Sequence, residues 1–190
     1  MIPDIYQIHI AIKGFKPKIW RRILVKSDVL LPNLHKILQT TMGWTNVHRH
    51  QFIKGRDYYA SPSVAGFDKE TTLDYRKIRL DRLVQNKKDK FEYEYDFGDG
   101  WLHEILLEKI FPIDSEIFYP LCLGGEMHSP KEDVGGVIGY ANMLKILKNP
   151  LHEEYADFLI WVGENYDSSS FDIVEVNQLL HNKNFGCPEV

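Results

Sequence analysis

The sequence predicts a single α+β domain over residues 1–190, with a mostly antiparallel sheet drawn from the first 110 residues. One N-terminal helix and a C-terminal set of helices are expected to cover that sheet. Three observations support this. Period-two alternation recurs up to residue 110, helical periodicity takes over after residue 139, and no repeat or low-complexity segment interrupts the chain. At 190 residues the length suits one domain.

Tyr6, Ile8, Ile10 and Ile12 alternate with polar or small neighbours, predicting a strand near 5–12 with one buried face. Gly14 to Pro17 turn the chain into a second strand near 18–25. There Ile19, Arg21, Ile23 and Val25 share one face, and Trp20, Arg22 and Leu24 share the other. A guanidinium on an apolar face calls for a carboxylate partner or an exposed strand end, so Arg21 is expected to have one of the two. Pro32 suits a first helical turn, and Leu34, Ile37, Leu38, Thr41 and Met42 continue a helix over 32–42 that Gly43 can stop. A third strand is expected near 48–54. Residues 55–72, holding Gly55, Pro62 and Gly66, read as a loop. Ile78 and Leu80 suggest a short strand, and Asp81 a cap for a helical turn through Leu83 and Val84. Strands near 90–96 and 101–110 form a hairpin. Tyr119–Gly125 and Pro130–Gly136 read as ordered, glycine-rich loops. Helices follow over 140–147 and 153–162, and a third opens on the capping box Asp172–Glu175 and runs to about Leu180.

Composition excludes several classes. Hydrophobic residues make up 44% of the chain and aromatics 13%, which suits a packed core. No apolar run reaches the roughly 18 residues of a membrane span, and Met1-Ile2-Pro3-Asp4 lacks a secretory leader. Two cysteines, Cys122 and Cys187, make no disulfide framework, so a cytoplasmic protein with reduced thiols is expected. The net charge of −4 hides an asymmetry: residues 1–90 hold 18 Lys/Arg against 8 Asp/Glu, whereas 91–190 hold 5 against 19. The charges alternate along strands, so pairing within the fold is the expected use. Lys18, Arg22 and Lys26 should then lie near Glu92, Glu94, Glu104 or Glu108.

The densest chemistry lies at Tyr93-Glu94-Tyr95-Asp96-Phe97-Gly98-Asp99-Gly100-Trp101-Leu102-His103. Its two aspartates and two glycines suit a hairpin turn. The candidate pocket joins Asp96, Asp99, Trp101 and His103 of this hairpin to His48 and His50, to Cys122, and to Glu132 and Asp133. A divalent metal is the cofactor these residue types suit. His48 and His50 would share a strand face, and Asp99 or His103 would complete a three-ligand site with open positions. His128 is a further residue of ligand type. The competing reading is structural: the aspartates bond turn amides, and Phe91, Tyr93, Tyr95 and Phe97 form one aromatic core face.

Asp96-Phe97-Gly98 lacks the rest of a protein-kinase signature, and the chain has no P-loop, dinucleotide fingerprint or GxSxG elbow. Cys122 has no partner base that spacing can name. Trp20 among Lys18, Arg22 and Lys26 is the one strand with the aromatic and basic interleaving of a nucleic-acid face.

The order of motifs resembles the plasmid pRiA4b ORF-3-like family. The resemblance rests on Pro17-Lys18-Ile19-Trp20-Arg21-Arg22-Ile23, Leu34-His35, Met42-Gly43-Trp44 and His48-x-His50-x-Phe52. It continues through the Tyr95–His103 signature, Cys122-Leu123-Gly124-Gly125 and Glu132-Asp133-Val134-Gly135-Gly136. Relatives usually carry Pro-Pro before Glu-Asp where this chain has Pro130-Lys131. The resemblance implies an α+β fold and an association with plasmids and mobile elements, but it assigns no reaction. The preferred reading is a non-catalytic ligand- or partner-binding domain. The alternatives are a metal-dependent, hydrolase-type enzyme and a nucleic-acid-binding protein that uses the Asp96–His103 hairpin.

Overall fold

Alternation sets the sheet. In the computed structural model, which describes residues 2–63 and 71–189, eight strands form one sheet. They are β1 (Ile5–Ile12), β2 (Trp20–Lys26), β3 (His50–Lys54), β4 (Asp57–Ala60), β5 (Thr72–Asp74), β6 (Lys90–Tyr95), β7 (Trp101–Phe111) and β8 (Leu121–Glu126). Their order is β5-β4-β3-β6-β7-β1-β2-β8, and every pairing is antiparallel except β4 with β5. Five helices accompany the sheet: α1 (Leu31–Met42), α2 (Leu80–Leu83), α3 (Gly136–Ile146), α4 (Tyr155–Val162) and α5 (Ile173–Leu180). The fold is α+β, as the periodicities predict.

One face of the sheet carries the core. Ile8, Ile10, Ile19, Ile23, Phe52, Tyr93, Tyr95, Trp101 and Ile105 are buried there with Leu31, Leu34, Ile37 and Leu38 of α1. Each fully buried aliphatic side chain contributes about 1.5–3 kcal/mol relative to exposure. Pro32 lies in the first turn of α1, where its missing N–H costs nothing. Gly43 closes the helix at φ +71°, and the amides of Gly43 and Trp44 return to Thr40 and Gln39 carbonyls. Asp172 caps α5 by accepting the Val174 and Glu175 amides.

The opposite face is half-exposed and crossed by ion pairs. Arg22 reaches Glu108 through two nitrogens at 2.7 and 3.0 Å, and Gln7 donates to the same carboxylate. Glu92 and Glu104 sit directly opposite each other, a repulsive arrangement that Lys13 and Lys90 relieve by pairing with one carboxylate each. The Arg22 side chain also lies over Trp20. The central cation of the strand that suggested nucleic-acid binding is therefore engaged within the fold.

Several expectations need correction. The predicted loop over 55–72 contains β4 and opens β5, while Gly66 falls outside the described residues. The predicted loop Tyr119–Gly125 contains most of β8. Asp81 lies inside the first turn of α2, whose preceding residue is Arg79, and does not cap it. Among the described residues Arg21 has no carboxylate partner, and it does not lie at an exposed strand end. It is buried, and its nitrogens donate to the carbonyls of Trp20, Thr41, Glu126 and Met127 and to Ser129 Oγ. The Thr41 carbonyl belongs to the C-terminal turn of α1, the negative end of the helix dipole, and this supplies partial compensation for the charge. Phe171 covers the guanidinium face at 4.1 Å. Burial lowers the Arg21 pKa to about 10.

Outer edges of sheets expose unpaired backbone, and β8 is one such edge. Asn177 of α5 blunts it: its amide nitrogen donates to the Cys122 carbonyl, and its oxygen accepts the Cys122 amide. Asn177→Leu should leave both groups unpaired and lower the melting temperature by a few degrees, at about 1–3 kcal/mol for buried groups left unsatisfied. Differential scanning calorimetry checks this, and an unchanged transition would mean that water replaces the side chain.

Candidate functional site

The hairpin tip is shaped by one aspartate. Asp96 follows β6 at φ +56°, a left-handed conformation that Asp tolerates better than most residues. Its Oδ1 accepts the Gly98 and Asp99 amides, and its carbonyl accepts the Gly100 amide at 2.6 Å. The turn thus consumes Oδ1, and Oδ2 lies 3.7 Å from His48 Nε2. The same backbone reversal turns Phe97 off the aromatic face predicted for it: Phe91, Tyr93 and Tyr95 are buried, whereas Phe97 is 39% exposed.

Asp133 Oδ1 also approaches His48 Nε2, at 3.4 Å. The ligand atoms of His48, Asp96 and Asp133 lie within 4.8 Å of one another, the one cluster of metal-ligand type among the described residues. His48 Nε2 is buried and forms no hydrogen bond there, although two carboxylates flank it. Donor atoms about 2.1 Å from a tetrahedral ion stand about 3.4 Å apart, close to both of these separations.

The loop carrying Asp133 is clamped at both ends. Glu132 accepts the Tyr95 hydroxyl, the Thr45 hydroxyl and the Thr45 amide. Asp99 Oδ2 accepts the Gly135 amide, and Trp44 Nε1 donates to the Pro130 carbonyl. Of the expected pocket residues, Glu132 and Asp99 therefore brace the loop, while Asp133 faces the histidine. Gly136 has φ +66°, and a Cβ there would stand 2.4 Å from the Asp99 carbonyl oxygen. Gly136→Ala should cost about 1–2 kcal/mol for the left-handed backbone alone, with the contact adding more. A thermal melt near the wild-type value would show that the clamp yields easily.

The remaining expected residues lie elsewhere. β3 begins at His50, so His48 lies outside the strand expected to hold both, and His50 is not part of the ligand cluster. Instead the His50 ring stacks on His35 at 3.4 Å between centroids, and its Nε2 contacts the Tyr75 hydroxyl. His103 is fully buried. Its Nδ1 must carry the proton, since it donates to the Tyr93 carbonyl, and its ring packs edge-on against Trp44. Trp101 is buried beside Trp44 and pairs with Tyr95 in the ladder. Cys122 is buried in β8 opposite Ile23, and burial raises its thiol pKa. His128 packs on Tyr166. Sequence reading missed His35, whose ring nitrogens join Asn46 and Tyr93. Its place on the Leu31, Leu34 and Leu38 stripe of α1 was the available signal.

The profile of the plasmid pRiA4b ORF-3-like protein family matches residues 4–175. The chain belongs to this family. A relative in Sinorhizobium fredii, named uncharacterized protein y4hQ, is 35% identical over 183 residues, spanning 95% of this chain and 92% of that protein. A crystal structure from Methanosarcina mazei Go1, described as a protein of unknown function, MM3350, is similar at a TM-score of 0.83 and 34% identity. That alignment covers 92% of this chain and 98% of the other. Among the described residues, no helix is long and apolar enough to cross a membrane.

Proposed function

We propose that this chain is a non-catalytic ligand-binding domain that holds a divalent cation on His48, Asp96 and Asp133. The observation that carries the reading is the convergence of one imidazole nitrogen and two carboxylates within 4.8 Å, with the nitrogen bonded to nothing else. One nitrogen and two carboxylate oxygens suit ions such as Mn²⁺ or Zn²⁺, and three protein ligands leave coordination positions for water or an incoming ligand. The bracing supports this reading, because Tyr95, Thr45, Glu132 and Asp99 all act to fix the segment that bears Asp133. Metal-dependent hydrolysis is the second reading, and the same open positions favour it.

Thermal melts with and without metal test the reading. At an ion concentration one hundred times Kd, the folded state gains about 2.7 kcal/mol, or roughly 5–10 °C for a chain of this size. Asp133 is 74% exposed but stands at φ +64°, so Asp133→Ala should melt a few degrees below wild type without metal, from the left-handed backbone alone, and lose most of the metal-induced shift. Asp96→Asn keeps an oxygen for the turn amides and should also lose the shift. No shift with Mn²⁺ or Zn²⁺ for wild type, or an equal shift for Asp133→Ala, would refute the site. Turnover of a phosphate ester by the metal-loaded protein would favour hydrolysis over simple binding.

A further inference from the structure

We infer that the ligand completing this cation site is a nucleotide, its phosphate on the ion and its base on the exposed ring of Phe97. The inference rests on the cation reading above and adds the identity of the ligand. Two large apolar side chains flank the site in sequence: Val47 precedes His48 and is 56% exposed, and Phe97 follows Asp96 and is 39% exposed. Consecutive Cα atoms lie about 3.8 Å apart, so each of these side chains leaves the backbone one residue from a donor residue. Phe97 points outward because of the left-handed backbone at Asp96, the residue that also presents Oδ2 to His48. One conformational feature thus creates both the carboxylate position and the exposed ring.

The chemistry beside the ring narrows the ligand. An ion held by two carboxylates and one imidazole prefers hard oxygen donors in its open positions, and phosphate oxygens are strong ones. Arg49, next after His48, sets its guanidinium over one face of the Phe97 ring, 5.9 Å from the centroid, so a cation stands beside the ring and a base would stack on the other face. A planar base stacks on an aromatic face, whereas inorganic phosphate has nothing to place there. Metal, cation and exposed ring together describe a phosphate ester with a flat apolar group.

Calorimetric titration of the Mn²⁺-loaded full chain with AMP, inorganic phosphate and adenosine tests this. AMP should bind about tenfold more tightly than phosphate, as one base stack allows, and adenosine alone should bind far more weakly than AMP. Phe97→Ala should bring AMP down to the affinity of phosphate, leaving phosphate and Mn²⁺ binding unchanged; since the ring is exposed, this variant should melt like wild type. Equal affinities for AMP and phosphate in wild type, or a preference that survives Phe97→Ala, would overturn the inference while leaving the cation site standing. Failure of Mn²⁺ to bind would remove both readings together.

Discussion

Acidification should unfold this protein between about pH 6 and pH 4, earlier than carboxylate chemistry alone would bring about. Three histidines are buried in neutral form. Burial holds His35 and His103 at about 4 and His50 well below its ordinary 6.5, with the stacked His35 ring lowering His50 further. A folded-state pKa below the unfolded value means that the unfolded chain binds protons first. Above pH 6.5 these rings add no pH dependence. As pH falls below 6.5, each withdraws stability at about 1.4 kcal/mol per pH unit until its folded pKa is reached.

Near pH 5 the three together predict a slope of about 4 kcal/mol per pH unit, and native domains hold only about 5–15 kcal/mol in total. His9, half-buried on the open face, shifts in the same direction. Glu108 acts later. Its pairing with Arg22 lowers its pKa from 4.5, so the stability that it adds is lost only as pH falls below that value. Urea titrations at half-unit pH intervals measure the slope directly. Stability that stays flat from pH 6.5 to 5 would mean that the histidines are not buried neutral. His50→Gln should reduce the slope by about one proton, because an amide cannot titrate there.

The same residues show what a sequence can disclose. β1 was legible to the residue, since Tyr6, Ile8, Ile10 and Ile12 give a clean period of two over a strand with partners on both sides. β8 was not, because Gly124 and Gly125 resemble loop chemistry. The reason for one glycine lies in packing: a Cβ on Gly125 would stand 2.8 Å from Arg21 Cδ, from Phe171 and from the Trp20 carbonyl. The candidate site was legible as a set of segments and not as a geometry. Which of Glu132 and Asp133 turns toward His48 depends on Asp133 standing at φ +64°, and the outward turn of Phe97 depends on Asp96 at φ +56°. The Asp96 torsion is held by its own turn bonds to Gly98, Asp99 and Gly100. That of Asp133 sits in a loop clamped by Thr45, Tyr95 and Asp99, which are distant from it in sequence, so local propensity carries no record of it.

Arg21→Met should be among the most damaging single substitutions outside the candidate site. Two opposing effects decide its sign. Removing the guanidinium abolishes the desolvation cost of a buried charge without a carboxylate, and replacing buried ions with apolar groups is stabilising in some proteins. Here, however, the partners are four backbone carbonyls and a serine hydroxyl, which the substitution leaves in place without donors. These acceptors join the end of α1, the β2–β8 ladder and the loop from Glu126 to Ser129, so none can turn to water without moving an element. Each unsatisfied buried acceptor costs about 1–3 kcal/mol. The adjoining cleft, lined by Thr41, Ser129, Ser170 and Phe171, admits some solvent and limits the sum. A net loss of about 3–5 kcal/mol follows, or roughly 6–20 °C in melting temperature. Arg21→Lys should fall between the two, because an ammonium offers three donors where five are used and is harder to dehydrate. Thermal unfolding of the three proteins in one buffer tests the ranking. A Met variant as stable as wild type would mean that the guanidinium's burial cost already cancels its bonds, and that β8 is held instead by the Asn177 clamp and the packing of Phe171.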